Sequence, residues 1–128
     1  MKKTLILDTN FLLIPGQFKV DIFTEIERVM NEPFELCMID KSIDELNKLA
    51  AAGKQEDKFA AKLALVLTIQ KNLKRLHSFG SKSVDDIIVK NADKNTYVAT
   101  QDKQLRERVK EKGAKIIGMR QQKYLMIM

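Results

Sequence analysis

Cysteine and histidine are almost missing from this chain, which has one of each, Cys37 and His77, among 128 residues. That excludes a disulfide within the chain, and it leaves no material for a Cys/His zinc cage or a Cys-His nucleophile pair. Cys37 falls in the apolar stretch Leu36 to Ile39 and reads as a small buried hydrophobe, while His77 sits near a strand end. Long apolar runs are missing too. None approaches the length that spans a bilayer, and the apolar piece of the opening MKKTLILDTN is too short for a signal peptide. A soluble, intracellular, cytoplasmic protein with no membrane partner is expected. No internal repeat, low-complexity segment or linker divides the chain. With 45% hydrophobic and 31% charged residues, positions 1–128 read as one domain able to bury a core.

What is present begins with an uneven charge. From Lys103 to Met128 eight basic residues face only Glu107 and Glu111, which accounts for the whole formal charge of +6 and leaves the remainder neutral. A basic C-terminal region beside acidic residues suits a polyanion held by its phosphates. The plainer reading of Lys103 to Lys112 alone is a solvated helix face with i,i+4 partners.

Apolar runs place the elements. Leu5, Ile6 and Leu7 have the pattern of a strand buried on both faces, closed by Asp8. Phe11 to Phe18 is expected as a loop broken by Pro15 and Gly16, and Val20 to Met30 as a helix. A strand over Phe34 to Ile39 leads to Asp40, expected to cap a helix from Lys41 to about Ala52 that Gly53 stops. The longest helical run, Gln55 to Leu73, carries a stripe of Phe59, Leu63, Val66, Leu67 and Ile69 or Gln70 that is expected to face the core. A short strand at Arg75 to Phe79, a turn at Gly80 to Lys82 and a helix from Ser83 to about Lys94 follow. Then come a strand at Tyr97 to Thr100, a helix at Lys103 to Lys112, and extended pieces at Lys115 to Met119 and Tyr124 to Ile127. Strands alternating with helices predict an α/β fold: a mainly parallel sheet of about five strands in three α/β/α layers.

In such a sheet the strand ends form the crevice where ligands bind. Four places put an acid where a strand yields to a helix or in a helix's first turns: Asp8, Glu45, Asp85 with Asp86, and Asp102. Each has an ordinary explanation. The DTN of Asp8 is turn chemistry, Glu45 an exposed helix acid, Ser83 with Asp86 a capping box, and Asp102 an N-cap. A parallel sheet brings all four to one edge.

As an ordered set, LDTNFLL, IDKSIDELNKL, SVDDIIV and VATQDKQLRERV, the sequence resembles the PIN-domain nucleases across nearly its whole length. The resemblance is greatest to the PIN nucleases of archaeal and eukaryotic small-subunit ribosomal RNA processing. VapC-type toxins, which share the acids, more often carry a DALIAA-like stretch where this chain has DDIIVKNA. The resemblance implies a ribonuclease whose catalytic, metal-binding acids are Asp8, Glu45, Asp85 and Asp102. Asp86 is either the replacement for Asp85 or a helix cap and support, and Asn10 and Thr100 hold the carboxylates by hydrogen bonds. Clustered carboxylates repel unless a cation joins them, and hard oxygen donors select one or two Mg²⁺ or Mn²⁺ ions.

The implied partners are RNA, above all a ribosomal RNA precursor, with ribosome-assembly factors, a second copy in a homodimer, and an antitoxin under the toxin reading. Arg106, Arg108, Lys110, Lys112, Arg120 and Lys123 are the candidates for phosphate contact. Two rival classes lack their residues. A DxDxT phosphatase needs an acid where Asn10 stands, and a receiver domain needs an acidic pair at a strand end that Leu7 and Thr9 do not supply. A PIN-fold RNA-binding protein that does not cut is the remaining alternative.

Overall fold

The computed structural model describes residues 2–80 and 82–128. Six strands form one sheet in the order β3-β2-β1-β4-β5-β6: β1 (Lys3–Leu7), β2 (Phe34–Ile39), β3 (Lys74–Leu76), β4 (Thr96–Ala99), β5 (Lys115–Arg120) and β6 (Tyr124–Ile127). The first five run parallel, and β6 returns antiparallel to β5 through a hairpin. The sheet therefore has six strands where about five were expected. Its edges are β3, three residues long, and β6, four residues long, where pairing on one side suffices.

Alternation along the strands divides the core in two. Leu5, Leu7, Met38, Tyr97, Ala99 and Ile117 face helices α1 (Thr9–Leu12), α2 (Ile14–Phe18), α3 (Ile22–Val29), α4 (Asp40–Ala52) and α5 (Gln55–Gln70). Ile6, Cys37, Ile39, Val98 and Ile116 face α6 (Val84–Asn91) and α7 (Lys103–Glu111) on the other side. Both faces being covered explains why β1 reads as an unbroken apolar run. Cys37 is 1% exposed, and burial pushes its thiol up to about 11, so it is an inert core residue.

Three expectations are corrected. Phe11 to Phe18 is not a loop: α1 and α2 occupy it, with Pro15 in the first turn of α2, where its missing N–H costs nothing. Gly16 serves packing there, since a Cβ on it would lie 2.5 Å from Ala60 Cα. The stripe on α5 is split: Phe59 is 60%, Val66 50% and Ile69 73% exposed, while Leu67 is partly buried against the core. Ala60, Ala61, Ala64 and Thr68 are the buried side, small residues that let α5 lie close on its neighbours. Asp40 is the first residue of α4 and not its cap; its Oδ1 accepts from Ser78 N at 3.1 Å and Ser78 Oγ at 2.6 Å, tying down the chain after β3. The turn expected at Gly80 to Lys82 includes Ser81, which lies outside the described residues. No described helix is long and apolar enough to cross a membrane.

Candidate active site

The register of β1 and β4 builds the centre of the site. Leu7 pairs with Ala99, and Asp8 N donates to Ala99 O at 3.0 Å, so the residues just past each strand, Asp8 and Thr100, are neighbours. Thr100 Oγ1 donates to Asp8 Oδ2 at 3.0 Å and accepts from Asp102 N at 3.0 Å. The other oxygen of Asp8 accepts from Thr9 N at 2.8 Å, which caps α1. One threonine thus fixes two acids.

Glu45 arrives from the other side. It lies one turn into α4, three residues after Ser42 and so on the same helix face. Thr9 Oγ1 donates to Glu45 Oε1 at 2.6 Å and shares a 2.7 Å hydrogen bond with Ser42 Oγ. Asp85 sits in the first turn of α6, behind the cap made by Ser83 Oγ. Asp102 caps α7 through Oδ1, which accepts from Gln104 N and Leu105 N. Asp8, Glu45, Asp85 and Asp102 line one cavity of about 220 Å³, together with Thr9 and Asn10.

The electrostatics are those of crowded acids. Burial, reinforced by the charges of Asp85 and Asp102 and opposed by the Thr100 and Thr9 hydrogen bonds, raises the Asp8 carboxyl from 3.8 to about 6. Asp85 is also raised, by burial first and then by Asp102, with Glu45 adding. Among the described residues no three His, Cys, Asp or Glu side chains already form a closed ion cage. The donor set nonetheless fits a hard cation. Every donor is a carboxylate oxygen, and both oxygens of Asp85, Glu45 Oε2 and Asp102 Oδ2 have no hydrogen-bond donor among the described residues, leaving them free to turn toward an ion.

The other candidates are divided. Asp86 does not line the cavity; its Oδ1 accepts from Arg108 Nη2 at 2.8 Å in an exposed ion pair, which holds its carboxyl low. Asn10 lines the cavity but holds no carboxylate; Thr9 does that work for Glu45, backed by Ser42, both unmarked in the sequence except by their spacing from Asp8 and Glu45. Arg106 and Arg108 are in the first two turns of α7, and Arg120 ends β5, so these three and Lys123 in the following turn share the strand-end side of the sheet with the acids. Lys110 and Lys112 do not. Since α7 starts at the site and runs back along the sheet, they end near Gly113, where a Cβ would lie 3.5 Å from Lys94 Cα at the opposite edge. Three lysines outside the basic C-terminal region were missed. Lys41, Lys48 and Lys82, with Asp44 among them, line a groove of about 350 Å³ that shares Glu45 with the acid cavity, and Lys41 Nζ donates to Gly80 O and Lys82 O; only the fold brings residues so far apart in sequence together.

Comparison with known proteins identifies the family and the fold. Residues 5–122 match the PIN-like domain family. The chain is 35% identical over 124 residues to Ribonuclease VapC4 of Methanocaldococcus jannaschii, covering 94% of this chain and 92% of that protein. Its fold is similar to that of the PIN domain endonuclease Utp24, with a TM-score of 0.78 at 26% identity over 97% of this chain and 90% of the other.

Proposed function

The chain belongs to the PIN-like domain family, and from that premise we propose that it is a divalent-metal-dependent endoribonuclease acting on ribosomal RNA precursors. The observation that carries the reading is the meeting of Asp8, Glu45, Asp85 and Asp102 around one cavity at the strand ends. These four acids would hold Mg²⁺ or Mn²⁺, which when bound supplies a more acidic water and charge stabilisation for a leaving oxygen.

The remaining work belongs to the chain itself. Thr100 and Thr9 keep Asp8 and Glu45 from swinging out of position, so the acids are organised before substrate arrives. Four carboxylates repel a phosphodiester, so the approach must be basic. Lys41, Lys48 and Lys82 on one side and Arg120 and Lys123 on the other supply that charge.

A second reading has an observation of its own: identity to Ribonuclease VapC4 along nearly the full chain favours a toxin ribonuclease neutralised by an antitoxin. Induced expression separates the two roles. Growth arrest that depends on Asp8 supports the toxin, whereas unaffected growth with Asp8-dependent cleavage of precursor RNA supports processing.

The activity itself is tested with purified protein and Asp8→Ala, incubated with structured and single-stranded RNA in Mn²⁺, in Mg²⁺ and in EDTA. Cleavage is expected only in wild type and only with the ion. Cleavage that survives EDTA or Asp8→Ala would remove Asp8 from the mechanism. RNA binding without cleavage under every condition would favour the non-cutting relative of this fold.

A further inference from the structure

Beside the acids lies a second groove, of about 470 Å³, that shares Asn10 with the acid cavity and has no charged residue in its lining. We propose that it binds the base next to the scissile phosphate of single-stranded RNA and prefers adenine there. The proposal rests on the ribonuclease reading and adds to it a place where sequence is read.

The lining chemistry is selective. Asn10, Gln17, Gln101, Gln121 and Gln122 bring five carboxamides to one groove, and four of the chain's seven glutamines are among them. A groove for phosphate would need cations, whereas Ile14, Phe18 and Met119 set apolar surface beside the amides, which suits a flat ring with polar edges. A carboxamide presents a donor beside an acceptor, the complement of adenine's N6 and N7, whereas guanine's O6 and N7 are two acceptors that Arg reads best. No Arg lines the groove. Phe18, 37% exposed, offers a ring on which a base can stack.

Two details indicate that the amides are held for use. Gln101 lies between Thr100 and Asp102, and its Oε1 accepts from Met119 N at 3.0 Å. That bond fixes the amide's orientation and leaves its NH₂ without an acceptor among the described residues. Gln121 and Gln122 occupy the β5–β6 turn, closed by Lys123 N donating to Arg120 O at 3.0 Å, with φ of 54° and 55°. Positive φ at both central positions is what Asn-Gly pairs adopt without strain. Two glutamines there pay in stability for side chains that the turn itself does not need.

Strand order sets the path. The lysine groove lies on the β2 side of Asp8 and the amide groove on the β5 side, so a strand crossing the acid cavity meets lysines on one flank and, on the other, amides bracketed in the chain by Arg120 and Lys123.

The test uses the full chain carrying Asp8→Ala, to prevent cleavage, and fluorescence anisotropy with labelled oligouridylates holding a single adenine or a single guanine. The adenine oligonucleotide is expected to bind about tenfold more tightly. In the same background, Gln101→Ala with Gln121→Asn and Gln122→Gly should erase that difference; the last two suit the turn, so the protein stays folded. Equal affinity for the two oligonucleotides, or a preference that survives the three substitutions, would overturn the proposal. Asp8-dependent cleavage without a base preference overturns this proposal alone, whereas failure to bind or cut any RNA overturns the ribonuclease reading with it.

Discussion

Asp85 and Asp86 are adjacent on α6 and have opposite surroundings. Asp85 turns into the acid cavity, where burial and Asp102 raise its carboxyl; Asp86 turns outward to Arg108, which lowers its own. The same division runs through the molecule. Asp21, Asp40 and Asp93 each accept hydrogen bonds at a helix start or turn and are held below the usual carboxylate range, by Thr24, Ser78 and Asn95 respectively. Asp8, buried at the end of β1, is pushed the other way. Carboxylates that serve the fold are stabilised where they sit. Asp8 and Asp85 at the strand ends are destabilised, by burial first and by neighbouring acids after it, a sign that they are kept for another purpose.

The sharpest test of that division is Asp8→Asn. The substitution should reduce cleavage by at least about a hundredfold, as loss of a preorganised catalytic charge does. Without divalent ion it should also stabilise the protein at pH 7. Because the Asp8 carboxyl titrates near 6 when folded and 3.8 otherwise, the folded state holds the proton more tightly. Wild-type stability from this group is therefore fully present below pH 3.8, falls as pH rises through about 6, and is level above that. The gap between variant and wild type should open across that window and reach about 3 kcal/mol. Thermal melts from pH 4 to 8 measure it, and a variant less stable than wild type at pH 7 would break the comparison. Added Mn²⁺ should raise the melting temperature of wild type and not of Asp8→Asn.

Thr100→Val comes next. It removes the hydroxyl that donates to Asp8 and leaves Asp102 N without its acceptor. A loss of activity of about 10- to 100-fold is expected, with a higher Mn²⁺ requirement, measured by titrating the ion at fixed RNA. An unchanged ion requirement would mean that Thr100 does not organise the acids.

The strands and Asp8 were legible from short-range pattern, while Glu45, Asp85 and Asp102 stood out only as an ordered set resembling a known family. An apolar run followed by an acid marks a strand end wherever it lies, and parallel topology does the gathering. What escaped depends on what packs against what. Pro15 and Gly16 look like a break, yet the proline opens α2 and the glycine admits Ala60. The α5 stripe has the right period but only its Leu67 edge packs on the core, because three alanines pack closer than Phe59 and Val66 can. Thr9 and Ser42 lie 33 residues apart and meet only when α4 folds over β1, so neither advertises its bond to the other. Asp85 and Asp86 are indistinguishable in sequence; the cap at Ser83 sets the rotation of α6 and so decides which of them enters the cavity.

The basic residues allow the smallest and most discriminating prediction, because charge alone does not say which of them touch RNA. Lys110 and Lys112 are at the far end of α7, while Arg120 and Lys123 flank the strand ends. In salt titrations of RNA binding, Lys110→Gln with Lys112→Gln should leave the slope of log affinity against log salt unchanged. Arg120→Gln with Lys123→Gln should flatten it by about 0.7 for each phosphate that is no longer neutralised. Asp86→Ala should act in the opposite sense, since it releases Arg108 from its carboxylate and gives the RNA one more cation to meet. Equal effects from the two pairs would mean that the positive charge attracts RNA as a diffuse field and that the strand-end side has no special hold on it. A difference confined to Arg120 and Lys123 would fix the RNA's path along the edge where the acids stand.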